Sequence, residues 1–315
     1  RAAEIGRLLA REEGKTLPEA IGEVGRAAAI FKFFAGEALR PGGELVPSVR
    51  PGVGIEITRE PLGIIGIITP WNFPIAIPAW KIAPALAYGN CVVFKPAEVV
   101  PGSAWALADI LHRAGLPAGV LHVRPGGPAT GDAVVRHPAV NMISFTGSTA
   151  VGRQIGEVCG GLLKKVALEL GGNNAIVVLD DADLDAASSC GAWGAFLHQG
   201  QICMQACRHL VHRSVAEAYS QRLKQRAEAL YVGDPHAGPA HLGPVINAQQ
   251  RDRIEQIVQT SVAQGARVVT GGTYEGLLSR PTVLTEVQPE MSAFTDEIFG
   301  PVAPITVFDT DEEAA

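Results

Sequence analysis

The chain has 315 residues, 47% of them hydrophobic and 18% charged, so it can bury two domains or one large α/β core and is not disordered. Its net charge of −6, with no block of lysine or arginine, argues against a nucleic-acid or membrane-surface partner. Five scattered cysteines form no disulfide framework, which predicts a cytoplasmic location.

Two amphipathic helices are predicted at the start of the chain. The second begins near Pro18, because proline is favoured in a first helical turn. A β-rich stretch follows at residues 52–69. The apolar tract from Leu62 to Phe94 carries a single charge, Lys81, and four prolines interrupt it. Since these prolines would break a spanning helix, we interpret the tract as buried core.

Strand and helix patterns then alternate, which is typical of a parallel, doubly wound sheet. Up to residue 170 the predicted strands are NCVVFK, VLHV, NMISF and KKVALEL, and the predicted helices are PGSAWALADILHRAG and TAVGRQIGEV. After Gly171 and Gly172 the pattern restarts, which predicts a second α/β domain. Its predicted strands are AIVVL, RHLVHR, RVVT and ITVF, and its predicted helices run from Asp183 to about Leu197, from Val215 to Leu230 and from Gln249 to Gln264.

Two segments of the first part are candidates for nucleotide binding. In FTGSTAVG a strand passes through Gly147 into a helix, whose N-terminus favours a phosphate. The spacing is neither the dinucleotide motif nor a P-loop, so an ordinary turn remains an alternative. In VVFKPAE, Lys95 and Glu98 follow a strand at the edge where α/β sheets bind ligands. The Glu98 carboxylate would accept hydrogen bonds from ribose hydroxyls and repel a 2′-phosphate. The alternative is that both residues are ordinary surface charges.

Two other segments are candidates for catalysis. In PWNFP, Asn72 lies between prolines in a turn that offers an amide donor at a fixed place, as an oxyanion hole requires. The same Asn is also compatible with a local backbone cap. In LELGG, Glu169 lies among apolar residues at a strand end, where a partly buried carboxylate is suited to general-base catalysis. The alternative is a solvated carboxylate beside a turn.

The segment GQICMQACR contains Cys203 and Cys207, with His198, His209 and His212 nearby. Zinc sites and thiol–disulfide pairs both prefer C-x-x-C spacing, and the last two histidines are expected on opposite faces of a strand. We therefore predict no metal. A buried, inert cysteine remains the ordinary alternative for either thiol.

Six of these segments resemble the NAD(P)-dependent aldehyde dehydrogenase superfamily in order and spacing, namely PWNFP, KPAE, FTGS, LELGG, GQ-x-C and EIFGPV. The resemblance covers essentially the whole chain. It implies an α/β fold with two doubly wound open-sheet domains, a Rossmann-like NAD-binding domain at residues 1–170 and a C-terminally incomplete catalytic domain at 171–315. It also implies an oligomerisation hairpin at about residues 43–61. Because the family is longer at both ends, we expect a partial-length gene product, or an insert carried inside another family member.

The resemblance also implies a role for individual residues. Cys203 matches the nucleophile, Glu169 the general base and Asn72 the oxyanion donor, whereas Cys207 is a bystander. NAD is expected as cofactor in preference to NADP, with contacts from Trp71, Lys95, Glu98, Thr146, Gly147, Ser148, Glu297 and Phe299. The aldehyde tunnel is expected to include Phe73, Ile77, Trp80, Leu197, Ile202 and Met204.

The implied activity is oxidation of an aldehyde to a carboxylic acid through a thiohemiacetal and a thioester on the cysteine. The predicted tunnel residues are apolar and offer no cation, which favours aromatic or medium aliphatic aldehydes. GQICM and RHLVH resemble the benzaldehyde and salicylaldehyde branch, whereas ITREPLGIIG to KPAE is closer to the ketoglutarate-semialdehyde branch. The expected partner is a small-molecule aldehyde, with no nucleic acid or membrane, in a homo-oligomer (dimer or tetramer) if the C-terminal strand is supplied.

Four alternatives remain open. The first is a semialdehyde dehydrogenase of the ketoglutarate or succinate type. A CoA-acylating enzyme is the second, although such enzymes generally lack the glutamate matched by Glu169. The third is a truncated, inactive homologue, and the fourth is a zinc-binding module.

Overall fold

A computed structural model describes residues 1–40 and 42–314, in which helices and strands alternate in an α/β fold. The helices are α1 (Ala2–Glu13), α2 (Leu17–Glu37), α3 (Ala76–Ala87), α4 (Pro101–Arg113), α5 (Pro128–Arg136), α6 (Thr149–Gly161), α7 (Leu184–Phe196), α8 (Arg213–Glu228), α9 (Ala248–Ala263), α10 (Ser292–Thr295) and α11 (Asp311–Ala314). The strands are β1 (Glu44–Pro47), β2 (Gly54–Ile57), β3 (Ile64–Ile68), β4 (Cys91–Lys95), β5 (Leu121–Val123), β6 (Met142–Thr146), β7 (Lys165–Glu169), β8 (Asn174–Val178), β9 (Ala206–His212), β10 (Arg267–Thr270), β11 (Tyr274–Glu275), β12 (Leu278–Ser279), β13 (Thr282–Thr285) and β14 (Val302–Phe308).

The chain divides into two compact units. The first comprises Arg1–Glu12 and Ile21–Leu170, and the second comprises Glu13–Ala20 and the chain from Gly171 onward. The sequence-based division into residues 1–170 and 171–315 stays a prediction. Residues 13–20, which comprise the end of α1, the connection and the first turn of α2, are grouped with the second unit.

The first unit contains a five-stranded parallel sheet in the order β5-β4-β3-β6-β7. The central strand β3 reads IIGII and is almost wholly buried, as expected for a strand covered on both faces. Successive strands run outward from β3 on one side and then restart on the other side at β6. The strand order therefore reverses between β3 and β6, and the carboxyl ends of these two strands form the switch point where such sheets bind ligands.

Two helices of this unit were not predicted from the sequence. Helix α3 begins at Ala76 and holds Pro78 in its first turn, where the missing N–H would have no intrahelical partner anyway. Pro84 lies only one turn before its end. Helix α5 begins at Pro128 and is nine residues long, which is too short for a clear periodic pattern. Among the described residues, no helix combines the length and apolarity that crossing a membrane would require.

The second unit contains a five-stranded sheet in the order β10-β13-β14-β9-β8, parallel except for β10. Its core packs α7 and α8 against the sheet through apolar side chains that include Val178, Phe196, Val211, Leu223 and Ile305. Asp183 caps α7 by accepting hydrogen bonds from two backbone N–H groups of the first turn.

Strands β1 and β2 form an antiparallel hairpin in which Glu44 pairs with Ile57. The hairpin lies within the range predicted for an oligomerisation element. The hairpin and the turn between its strands expose large apolar side chains to solvent, namely Leu45, Val49, Val53, Ile55 and Ile57.

Candidate active site

The carboxyl edge of the first sheet holds several of the site residues predicted in the first unit, namely Lys95, Thr146, Gly147 and Glu169. Ile68 at the end of β3 is in register with Lys95 on one side and Phe145 on the other. At the ends of β6 and β7, Thr146 is in register with Glu169. The Gly147 N–H donates to the Glu169 carbonyl at 3.1 Å, which holds the start of the next turn against β7.

The turn that contains Asn72 connects β3 to α3. Asn72 is only 3% exposed, whereas Trp71 and Phe73 beside it are half-buried. The backbone N–H groups of Ile75 and Ala76 donate to Glu23 Oε1 at 2.8 and 2.9 Å. The Glu23 carboxylate thus caps the start of α3 and fixes the end of this turn.

Lys95 and Glu98 form an ion pair just beyond β4, with Lys95 Nζ 3.2 Å from Glu98 Oε2. The Lys95 side chain is buried and that of Glu98 is 55% exposed. A hydrogen bond from its own backbone N–H, followed by the Lys95 ammonium, lowers the pKa of the Glu98 carboxyl. Glu98 is therefore a carboxylate at neutral pH that faces solvent beside the switch point.

A groove of about 540 Å³ opens between α5 and α6 at the same edge. Its walls are mostly apolar, with Lys95 at one end, and include Ile68, Pro128, Phe145, Val151 and Ile155. Ser148 caps α6 and accepts from the Val151 N–H. A Cβ on Gly147 would lie 2.5 Å from the Phe145 ring, so only glycine fits before this helix. Sequence reasoning missed the contribution of α5, although the run GGPATG with proline at the first helical position signalled it.

Lys81 on α3 is a residue at this edge that the sequence did not single out as functional. Its Nζ donates to Ser144 Oγ at 3.0 Å and to the Phe145 carbonyl at 3.2 Å. Burial lowers the pKa of Lys81 to about 8, and the charge of Glu169 opposes this shift. Glu169 itself is exposed. The expectation that it would be partly buried was wrong, because β7 is an edge strand of the sheet.

In the second unit, Cys203 lies in an exposed turn just before β9. Asn174, the first residue of β8, holds this turn. Its Nδ2 donates to the Cys203 carbonyl at 3.0 Å and to the Gln205 carbonyl at 3.1 Å. Gln205 Nε2 in turn donates to the Ala195 carbonyl at 3.0 Å. These amide side chains fix the backbone on which the Cys203 thiol is presented.

The structure separates the two cysteines of this segment. Cys207 is 1% exposed within β9, and burial raises the pKa of its thiol to about 12. Cys203 is exposed. At neutral pH the Cys207 thiol is therefore protonated and inaccessible, so only Cys203 of this pair is open to a ligand.

The histidines near these cysteines have structural contacts. His209 is fully buried, and its Nδ1 lies 2.7 Å from the Tyr219 hydroxyl. Burial lowers the pKa of His209 to about 4, so it is neutral at physiological pH. His212 lies on the opposite side of the strand and caps α8. Within residues 1–40 and 42–314, no group of three or more histidine, cysteine, aspartate or glutamate side chains is placed to hold a metal ion.

Glu297 and Phe299 lie in the loop before β14. The Gly172 N–H donates to Glu297 Oε1 at 3.2 Å, and burial raises the pKa of the Glu297 carboxyl. A Cβ on Gly171 would lie 2.1 Å from Glu297 Oε2, so glycine is required there for the carboxylate to approach. Phe299 has a φ of 54°, a left-handed conformation that is unusual for a bulky residue.

The predicted tunnel residues occupy two segments. In the first unit Phe73 is half-buried, Ile77 is buried and Trp80 is 47% exposed. The Arg26 guanidinium carbon lies 5.5 Å from the centroid of the Trp80 ring. In the second unit Ile202 is buried, Leu197 is half-buried and Met204 is 65% exposed. The surroundings of Trp80 are therefore not purely apolar, since Arg26 supplies the cation that the sequence-based set lacked.

The chain was compared with known proteins. A sequence model described as the aldehyde dehydrogenase family matches residues 1–315. The chain is 53% identical over 306 residues to an NAD(+) benzaldehyde dehydrogenase from Pseudomonas putida, covering 96% of this chain and 63% of that protein. It is 49% identical to a vanillin dehydrogenase from Amycolatopsis sp., covering 100% of this chain and 65% of that protein.

The fold matches the crystal structure of succinate-semialdehyde dehydrogenase from Burkholderia pseudomallei with a TM-score of 0.96 at 42% identity, covering 99% of this chain and 66% of that one. The chain thus spans 63% and 65% of the length of these two sequence relatives.

Proposed function

This chain belongs to the aldehyde dehydrogenase family, and from that premise we propose that it oxidises an aldehyde to the carboxylic acid with NAD as the hydride acceptor. The observation that carries the proposal is the contrast between the two neighbouring thiols. Cys203 is exposed on a turn held by Asn174, whereas Cys207 is buried with its pKa raised to about 12. One accessible thiol on a fixed backbone is what covalent catalysis on a carbonyl requires.

Each proposed catalytic residue has one role in this reaction. The Cys203 thiolate attacks the aldehyde carbon, and the Asn72 amide donates a hydrogen bond to the oxyanion that forms. A bound NAD would supply the hydride acceptor, and loss of the hydride from this carbon would leave a thioester on Cys203. The Glu169 carboxylate then removes a proton from a water that attacks the thioester, which releases the acid and frees the thiol. A CoA-acylating reaction would not need this base.

The first unit has features that fit NAD. The groove between α5 and α6 has apolar walls and a volume of about 540 Å³, which suits a planar base. We assign the Glu98 carboxylate as an acceptor for a ribose hydroxyl of NAD, because it is exposed beyond the end of β4. The N-terminus of α6, with Thr146, Gly147 and Ser148 before it, offers backbone N–H groups to a diphosphate. We assign Trp71 to the same diphosphate segment and Glu297 and Phe299 to the nicotinamide ribose.

We expect a lower KM for NAD than for NADP, because Glu98 would meet the 2′-phosphate as a like charge. Glu98→Gln should narrow the ratio of kcat/KM for the two cofactors by about tenfold, since it removes that repulsion. Glu157→Gln is the matched control, because it removes a carboxylate from the same groove and leaves the Lys95–Glu98 pair intact. A lower KM for NADP, or equal effects of both variants, would contradict the role of Glu98.

Aromatic or medium aliphatic aldehydes are the proposed substrates. The residues assigned to the aldehyde, Phe73, Ile77, Trp80, Leu197, Ile202 and Met204, are all apolar, so burying a charged tail among them would cost free energy. Two relatives are named for the aromatic aldehydes benzaldehyde and vanillin. A semialdehyde dehydrogenase is the second candidate, because Arg26 beside Trp80 offers a cation for a carboxylate.

A substrate panel separates these candidates in a completed enzyme, in which this chain replaces the matching segment of the Pseudomonas putida relative. We expect kcat/KM to be about tenfold or more higher for benzaldehyde and hexanal than for succinic semialdehyde. Arg26→Met should change little for benzaldehyde. If the semialdehyde is preferred and Arg26→Met removes that preference, the second candidate is correct. NADH formation with none of the aldehydes would contradict the proposed function itself.

We also propose a cytoplasmic homo-oligomer, a dimer or a tetramer, without a nucleic-acid or membrane partner. The hairpin β1–β2 supports this proposal, because its exposed apolar side chains would be unfavourable in water and are suited to burial against another subunit. None of the five cysteines, all of which lie in the described residues, forms a disulfide, in keeping with a reducing compartment.

A further inference from the structure

A cluster of fully buried polar side chains adjoins the loop that leads to Cys203. His198 Nε2 lies 3.0 Å from Glu13 Oε1, and Lys15 Nζ lies 3.9 Å from Glu13 Oε2. The side chains of Glu13, Lys15 and His198 are 0%, 1% and 3% exposed. Charged and polar groups are rarely buried to this extent unless their partners hold them in place. The cluster belongs to the second unit, because residues 13–20 are grouped there.

Further hydrogen bonds join the same connection to the loop backbone. The His198 N–H donates to Glu19 Oε1 at 3.2 Å, and Gln199 Nε2 donates to the Gly14 carbonyl at 3.1 Å. Glu19 is itself held by Thr16, whose hydroxyl donates to Oε2 at 2.6 Å. Residues 13–19 therefore contact two successive residues of the loop through both side chains and backbone.

The loop has an unusual backbone at this place. His198 and Gln199 have φ values of 54° and 55°, and Gly200 follows with 69°. Left-handed conformations are unfavourable for residues with a Cβ, and two in succession persist only where the surroundings impose them. Such strain often occurs close to functional groups. The hydrogen bonds that His198 and Gln199 donate to Glu19 and to the Gly14 carbonyl, together with the Glu13 carboxylate beside His198, are the contacts that hold this conformation.

We propose that residues 13–19 form a clamp that positions the Cys203 thiol, with Glu13 and His198 as its central positioning residues. The clamp fixes the left-handed turn at His198 and Gln199, and this turn sets the direction in which the loop runs to Cys203. Asn174 fixes the loop on the far side of the same cysteine. The inference rests on the proposed role of Cys203 as nucleophile.

The rate of Cys203 alkylation by iodoacetamide tests the clamp without NAD or an aldehyde. Modification is localised to Cys203 by tandem mass spectrometry, since Cys190 is also exposed. Glu13→Leu removes the carboxylate beside His198 and should disturb the orientation of the Cys203 thiol. We therefore expect the alkylation rate of Cys203 to fall by about tenfold. Glu13→Gln keeps an acceptor oxygen and should stay within about twofold of the original rate. In the completed enzyme, Glu13→Leu should lower kcat and leave KM for NAD unchanged.

Two further variants separate positioning from plain stability. Gln199→Asn tolerates the left-handed backbone, buries no charge and is too short to reach Gly14, so it tests the clamp even if Glu13→Leu does not fold. His209→Phe is the matched control, because it removes an equally buried histidine and its contact with Tyr219 at a distance from the loop. The control should lower the Tm and leave Cys203 alkylation unchanged.

Unchanged alkylation and kcat in both Glu13→Leu and Gln199→Asn, with only the Tm lowered, would overturn the clamp. Failure of the proposed function would look different, because Cys203→Ala would then retain aldehyde oxidation whatever the clamp variants do.

Discussion

Replacing Cys203 with alanine is expected to abolish aldehyde oxidation in the completed enzyme, with kcat falling by about 10⁴-fold or more. The reaction proposed for this chain proceeds through a covalent bond to that thiol. No described side chain of the same turn offers a second thiol to solvent, because Cys207 is buried. The measurement is NADH formation from benzaldehyde under saturating NAD.

Cys207→Ala is the matched control for this prediction. The Cys207 thiol is buried, with a pKa of about 12, so its loss should leave most of the activity. Removing a buried sulfur leaves a small cavity that we expect to cost about 1–2 kcal/mol of stability, which lowers the Tm. Assays well below the Tm of the variant separate this effect from catalysis. Equal losses of activity at both positions would instead indicate a paired role for the two cysteines.

Glu169→Gln is expected to block turnover after one round of NADH formation. Attack by Cys203 and hydride loss do not need this carboxylate, whereas hydrolysis of the thioester requires a base for the attacking water. We expect kcat to fall by about 10²- to 10⁴-fold, with a burst of NADH where the earlier steps are fast. Stopped-flow absorbance measures the burst and the steady state together.

Glu290→Gln is the control for the second prediction, because it removes an exposed carboxylate that belongs neither to the proposed catalytic residues nor to the groove assigned to NAD. Its kcat should equal that of the parent enzyme. Steady-state turnover of Glu169→Gln at the parental rate would contradict the assignment of Glu169 as the base.

The sequence was informative about the strands, because a buried parallel strand is recognised from its own short sequence pattern. β3, β4 and β6 are short runs rich in β-branched or other apolar residues, and a buried parallel strand needs little else. Helix α3 was missed because Pro78 and Pro84 were interpreted as breakers, although each lies near a helix end. Helix α5 is too short to show a period.

The placement of several candidate residues was predictable from one rule, namely that parallel strands end at a common edge. This rule groups Lys95, Thr146 and Glu169 in the first unit, whereas their roles stay predictions. Contacts between distant parts of the chain were not predictable, because no local pattern records them. Glu23 accepts from Ile75 across 52 residues, and Glu19 accepts from His198 across 179.

The cation beside Trp80 illustrates the same limit. The sequence around Trp80 is apolar apart from Lys81, so the predicted tunnel offered nothing for a carboxylate. Arg26 comes from α2, and only the packing of α2 against α3 brings its guanidinium over the indole ring. The Arg26–Trp80 contact is therefore one that the motifs near the cysteine do not contain.

The mass of the intermediate trapped on Glu169→Gln in the completed enzyme tests the proposed reaction most directly. The variant is mixed with benzaldehyde and NAD, quenched in acid, and digested for tandem mass spectrometry. We expect one benzoyl group per chain, attached to Cys203 and absent when NAD is omitted, because the thioester forms only after hydride loss. A benzoyl group on another residue, or NADH formation with no acyl group on Cys203, would contradict the proposed reaction.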